Sequence, residues 1–451
     1  MEEDWAGLTP EERRRKRLDR WLNPENAGFI SSDAENAYRE RAQRLIDAWN
    51  VEEPDRVPVI AAVGAIPAAT YGVDFHTAIY DYDKMAKVWT RFNDEYSREL
   101  DSFAIPAMVT PARAYDLLDL RLYAYPGHGL PTSATGVQFV EGEYMTADEY
   151  DALIRDPSDF WIRVFMPRIF GALGPFRTLA PFTDIVEQPA MKLLPFTRPD
   201  VQAGLQALID AGRELSKWSE KILTFMRLAT ASGFPSATTG AFCKAPFDTL
   251  GDTLRGTKGI MMDMYRRPEK LLEAMDVMAD LSIESALSSL NATGGFRAVF
   301  PLHKGADGWM SDAQFDTFYW PPLRKVVTAL IEEGISILLF AEGSFDTRLD
   351  KVNEFPKGAV SWLFDKTDMA RAKRMLGDRC CIMGNVPASL MVTGEPGDIK
   401  AYCRKLIEDC GKGGGYVLSP GILGIDEAKL SNVKAMVDAA REFGTYGKHG
   451  L

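Results

Sequence analysis

The chain has 451 residues, 46% of them hydrophobic and 26% charged, which is ordinary globular chemistry and excludes disordered, collagen-like and low-complexity classes. Its formal charge is −12 and its pI is near 5.1. The one short basic run, Arg13–Arg17 in EERRRKR, sits among acids, so nucleic acid is not an expected partner.

No stretch approaches the roughly eighteen consecutive apolar residues of a membrane span, and MEEDWAGLTPEERRRKR lacks the apolar centre of a secretory signal. Five cysteines, with Cys380 and Cys381 adjacent, do not form a disulfide framework. The chain reads as cytoplasmic, with no membrane partner. Length alone allows up to about three domains, although α/β barrels routinely exceed that ratio.

Residues 1–54 read as a helical extension. Thr9 caps a first helix, with Glu12 completing a capping box, and a second helix spans roughly Asp33–Trp49. From residue 55 to 451 short β-rich runs alternate with longer amphipathic stretches. The predicted strands are Val57–Val63, Phe103–Val109, Ser236–Gly240, Ala298–Leu302, Ser336–Phe340, Ala359–Phe364, Cys380–Met383 and Tyr416–Ser419. Predicted helices include Lys84–Leu100, Pro268–Leu290, Ala313–Glu332, Asp368–Leu376, Pro396–Cys410 and Asp426–Phe443. Near-continuous apolar strands separated by helices imply parallel pairing. Eight such units point to a (β/α)₈ barrel, with an open doubly wound sheet as the runner-up. Leu120–Thr146 breaks the pattern and reads as a hairpin insertion turning at PGHGLP.

Barrel chemistry sits where strands end. His303 follows AVFPL, Glu342 follows ILLFA and Asp365 follows VSWLF, closing three successive predicted strands. A histidine with carboxylates can hold zinc through His303 and Glu342 or work as an acid/base group. The bland reading is a polar barrel mouth, and Asp365, before KTDMARAK, equally suits a cap. Lys304 and Asp307 adjoin His303 in HKGADGWMS, where a cation can bind a carboxylate or phenolate or simply be solvated. Trp309 falls where a pocket wall belongs. Cys243 and Lys244 end another strand, and a lone cysteine there is more often packing than a nucleophile. P-loop, GxGxxG, CxxC and HExxH motifs do not occur.

Residues 377–421, GDRCCIMGNVPASLMVTGEPGDIKAYCRKLIEDCGKGGGYVLSPG, resemble the uroporphyrinogen decarboxylase superfamily, with its strand, GN-x-P turn at Asn385, helix, glycine turn and SPG. APFDTLGDTLRGTKGIMMDMYRRPEKLLEAM, GWMSDAQFDTFYWPPLRKVV and PGHGLP fit the same pattern. The resemblance spans roughly 55–445 and implies an α/β fold, a distorted (β/α)₈ TIM barrel. It also places Asn385 among the substrate-binding candidates. The decarboxylases of that superfamily carry an arginine-rich MRQAGRY-type loop and a later aspartate. Here the first loop is AAVGAIPAATYG and the aspartate position falls on or near Thr110.

The corrinoid-dependent methyltransferases of the same superfamily bind zinc through His-x-Cys and a later Cys. Those positions look like Phe340, Glu342 and Ile422 here. The resemblance therefore implies a methyltransferase of the cobalamin-dependent branch that demethylates a small methoxylated compound, aromatic ones included. A separate corrinoid protein would accept the methyl group, and Glu342, His303 and Asp365 would act at the ether oxygen, with zinc as an optional cofactor. It also suggests a homodimer. The alternatives are a lyase acting on a carboxylated substrate without corrinoid, and a non-catalytic ligand-binding barrel.

Overall fold

The computed structural model describes residues 5–447 except 62, 97–99, 105, 107–108 and 238–239. A three-stranded sheet in the order β2-β1-β3 is built from β1 (Tyr123–Pro126), β2 (Gly129–Leu130) and β3 (Gln138–Phe139). This is the expected insertion. Its turn needs Gly127 and Gly129, whose φ values are 86° and 79°, in the left-handed region that glycine enters at little cost.

The main sheet is wholly parallel and runs in chain order. It comprises β4 (Ala241–Phe242), β5 (Arg297–Leu302), β6 (Ser336–Ala341), β7 (Val360–Phe364), β8 (Cys381–Met383) and β9 (Tyr416–Val417). Two less regular segments carry the hydrogen bonding on around the ring. Val59 forms a parallel bridge to Leu418, Asp101 N donates to Val59 O, and Phe103 N donates to Pro235 O. The result is a distorted (β/α)₈ barrel with its first strands reduced to isolated bonds.

The five later predicted strands match their observed counterparts closely, whereas the first three do not form ladders over the expected ranges. Within them, residues 62, 105, 107–108 and 238–239 lie outside the described residues, as do 97–99 of the helix expected at Lys84–Leu100. That helix is described as Tyr82–Tyr96. A 33-residue helix, Pro199–Ala231, has no counterpart among the predicted ones. The helix expected over Ala313–Glu332 is divided into Asp312–Gln314, a π turn at Phe315–Tyr319, and Trp320–Glu332. Pro321 and Pro322 account for the change of winding, because neither ring nitrogen can donate a helical hydrogen bond.

The N-terminal extension folds as Pro10–Leu22, with Thr9 and Glu12 forming the expected capping box, and Ser32–Trp49. Strand side chains alternate between faces, and the inner set includes Val299, Leu338, Phe340, Leu363, Cys381, Met383 and Val417. These pack with Leu18, Leu45 and Trp49 of the extension. The two helices therefore plug the base of the barrel, leaving its other end, where the strands finish, as the open mouth. No helix of the described residues is long and apolar enough to cross a membrane.

Candidate active site

The register pairs Leu302 with Ala341 and Ala341 with Phe364. The next residues in each chain, His303, Glu342 and Asp365, therefore stand side by side at the mouth. They continue the inward parity of Val299, of Leu338 and Phe340, and of Leu363. Alternation thus converts three strand ends into one polar wall.

His303 is the centre of that wall. Its Nδ1 lies 2.5 Å from Asp252 Oδ2 and its Nε2 lies 3.6 Å from Glu342 Oε1. Asp252 also holds Lys244 Nζ at 2.7 Å and Lys304 Nζ at 2.8 Å. Asp248 is fully buried. It accepts hydrogen bonds from the backbone N–H groups of His303 and Lys304, each at 3.0 Å, and from Tyr319 Oη at 2.7 Å. Asp248 and Asp252 come from the segment Pro246–Leu254, which passes into a π turn at Thr249. Tyr319 comes from the second π turn. Changes of helical winding thus bring Asp252 to the imidazole and Tyr319 to Asp248.

The electrostatics separate these groups. Burial opposes a charged His303, but the Asp252 hydrogen bond and the negative charges of Asp248 and Glu342 prevail, so its pKa stands above the usual histidine value. Burial raises the Glu342 carboxyl; His303 pulls it back, while Asp248, Asp252 and Asp365 add to the rise. Burial also acts to raise Asp252, yet its bonds to His303 and Lys244 hold it well below the usual carboxylate range. Asp248 is raised by burial and by its neighbour Asp252. The outcome is a fixed anion behind the imidazole and, in front of it, a carboxyl that gives up its proton less readily than an exposed one. Glu342 and His303 have side chains 43% and 33% exposed, so the front of the pair is open to a substrate.

The other expected residues take different places. Asp365 Oδ2 accepts a hydrogen bond from Gly343 N at 3.1 Å, which fixes the turn after Glu342. Asn385 Nδ2 donates to the carbonyls of Asp365 and Thr367, so it holds the neighbouring loop. Asp307 accepts from Ser344 Oγ and Thr347 Oγ1, tying two mouth loops together. Trp309 packs edge-on against Phe247, with Lys304 Nζ 5.4 Å from its ring centroid. Lys304 is 8% exposed and also bonds Thr257 Oγ1, so it is built into the Asp252 network. Cys243 is buried and its thiol is pushed up to about 12 by burial, which suits packing rather than nucleophilic attack.

Sequence reasoning missed Asp248, Asp252 and Tyr319. The two aspartates sit four residues apart just after a strand end and a proline, a spacing that puts them on one side of a helical turn. That was the available signal. Tyr319 had none, because its direction depends on the π turn.

A zinc ion would find few donors at the mouth. His303 Nε2 and Glu342 supply two, and Nδ1 already faces Asp252. Phe340 and Ile422 carry no donor atoms. No group of three or more His, Cys, Asp or Glu side chains placed to hold a metal occurs among the described residues. A catalytic zinc ordinarily has three protein ligands, and the residues present do not match that requirement.

A family model described as "Uroporphyrinogen decarboxylase (URO-D)" matches residues 195–443. The chain belongs to the uroporphyrinogen decarboxylase family. It is 29% identical over 187 residues to a uroporphyrinogen decarboxylase of Neisseria meningitidis, covering 40% of this chain and 50% of that protein. It is 27% identical over 190 residues to the Pseudomonas fluorescens enzyme of that name, covering 40% of this chain and 52% of that protein. The chain thus spans about half the length of the curated relatives it matches. Among solved structures, a methyltransferase from Methanosarcina mazei superposes with a TM-score of 0.56 at 15% identity. The superposition covers 90% of this chain and 98% of that one, and at that identity it establishes the fold.

Proposed function

We propose that the chain is a methyltransferase that removes the methyl group of a small methoxylated compound. The corrinoid of a separate protein takes the methyl group as acceptor substrate. The observation that carries this reading is the Asp252–His303–Glu342 chain, which sets an acid/base pair at an open mouth. In the transfer the O–CH₃ bond breaks, its electron pair stays on oxygen, and the methyl group leaves to a reduced, nucleophilic cobalt. The alkoxide or phenolate left behind takes a proton from the His303–Glu342 pair. Asp252 stabilises the protonated imidazole from behind and fixes its orientation.

The charges at the mouth support methyl transfer over decarboxylation of a polycarboxylate. Lys244 and Lys304 both spend their charge on Asp252, and the first loop, AAVGAIPAATYG, contains no arginine. The names of the curated relatives support a second reading, a carboxy-lyase on another substrate. Parallel assays of methoxylated and carboxylated compounds decide between them. Demethylated product that forms only with a reduced corrinoid acceptor is expected. Release of CO₂ without corrinoid would instead establish the lyase.

A further inference from the structure

Arg297 opens β5 on the inward face at the base of the barrel and is fully buried. One of its nitrogens, Nη1, donates to Ala237 O at 2.9 Å. Its Nε and Nη2 have no hydrogen-bond partner, and it is the charged residue among the buried groups of the described residues left in that state. Its guanidinium lies 3.7 Å from the centroid of Trp49 and 5.5 Å from that of Phe296. Trp49 Nε1 is itself a buried donor without an acceptor. The titratable groups acting on Arg297 are a second guanidinium, Arg14, and the Cys381 thiol, with no carboxylate among them.

Arg14 approaches from the other side of one residue. Ser336 pairs with Arg297 in the strand register, and Ser336 Oγ accepts from Arg14 Nε at 3.3 Å. Two guanidinium groups therefore flank Ser336. Burial depresses Arg297 to about 9 and Arg14 to about 10, so both remain cationic at neutral pH. Aromatic faces stabilise such a charge only in part, and a buried cation without a counter-charge is costly. Water would complete the hydrogen bonds but leave the charge uncompensated. Arg14 also lines a surface cavity with Asp19, Asn50, Glu52 and Lys357; its Nη2 donates to Asn50 Oδ1 at 2.7 Å and Glu11 and Glu52 act on its charge, so Arg297 is the cation of the pair without a carboxylate.

We infer that the base of the barrel is an anion site, in which a small monovalent inorganic anion such as a halide sits against Arg297 Nε and Nη2 with Arg14 as the second cation. It lies at the opposite end from the mouth and helps lock the N-terminal helices in place. A ligand that binds the folded state alone raises stability with its concentration. The test uses the full-length chain. Crystals soaked in bromide should show an anomalous peak within hydrogen-bonding reach of Arg297, and Tm should climb with chloride when gluconate keeps ionic strength constant. Arg297→Met should abolish the chloride dependence. Should that variant fail to fold, Arg14→Gln should weaken the dependence. A base without bromide would overturn the site. A bromide peak with the same Tm in chloride and gluconate would mean binding at crystal concentration only, and would overturn it equally.

Discussion

The two ends of the barrel treat charge in opposite ways. At the mouth, His303, Asp252, Lys244 and Lys304 form a linked set, each with an ionic partner, and Glu342 stands partly in solvent in front of it. At the base, Trp21, Trp49 and Phe296 form an aromatic seal, with centroids 4.8–5.7 Å apart, around a guanidinium that lacks a carboxylate. The same alternation of strand side chains produces both ends. What differs is the segment that covers each: polar βα loops at the mouth, the two helices of the N-terminal extension at the base. Under the proposed function, chemistry and stability belong to separate ends of one structure, and each should respond to its own substitutions.

The largest expected effect is at the mouth. Glu342→Gln and His303→Ala should each lower methyl transfer by about 10²- to 10⁴-fold, the usual contribution of a positioned acid, with Tm and circular dichroism little changed. Equal activity in both variants would remove the proposed acid and with it the functional contrast between the ends. Trp49→Ala should do the reverse. It should cost about 3–5 kcal/mol of stability, as expected for a fully buried indole, while the protein that remains folded keeps its activity. A denaturant midpoint unchanged from wild type would show that the extension does not seal the base.

A smaller, directional effect sharpens the account of the mouth. Because His303 and Glu342 both have raised pKa values, the general acid should be lost as pH rises through those values. Activity should therefore fall on the alkaline side. The same raised values favour the folded state at acid pH, a contribution that is lost as pH rises through them. Asp252→Asn removes the principal group that raises His303, so the alkaline limb of the pH profile should move toward acid. A profile that stays in place would show that Asp252 does not govern the histidine.

The contrast between the ends also marks what was legible in the sequence. β5 to β9 were readable because their apolar runs are continuous and set off by helices or polar turns. His303, Glu342 and Asp365 were readable because each directly follows such a run. The first strands were not, since they are held by isolated bonds such as Asp101 N to Val59 O and carry little ladder to impose a pattern. Asp248, Asp252 and Tyr319 were missed for a different reason. Their convergence depends on two π turns, and a winding change alters direction without altering hydrophobic periodicity. The plug at the base depends on contacts such as Trp49 with Phe296, far apart in the chain, where no local signal exists. Lys304 was legible only as a cation next to His303, and its engagement with Asp252 and Thr257 required the fold.

The most direct test of the central proposal is the anaerobic consumption of a reduced Co(I) corrinoid, followed by its absorbance, on adding methoxylated aromatic and aliphatic compounds to wild-type protein and to Glu342→Gln. The account predicts methyl-dependent loss of Co(I) with the wild type and at least about 100-fold slower loss with the variant. Equal rates in the two proteins, or no loss with any methoxylated compound while a carboxylated one releases CO₂, would contradict it.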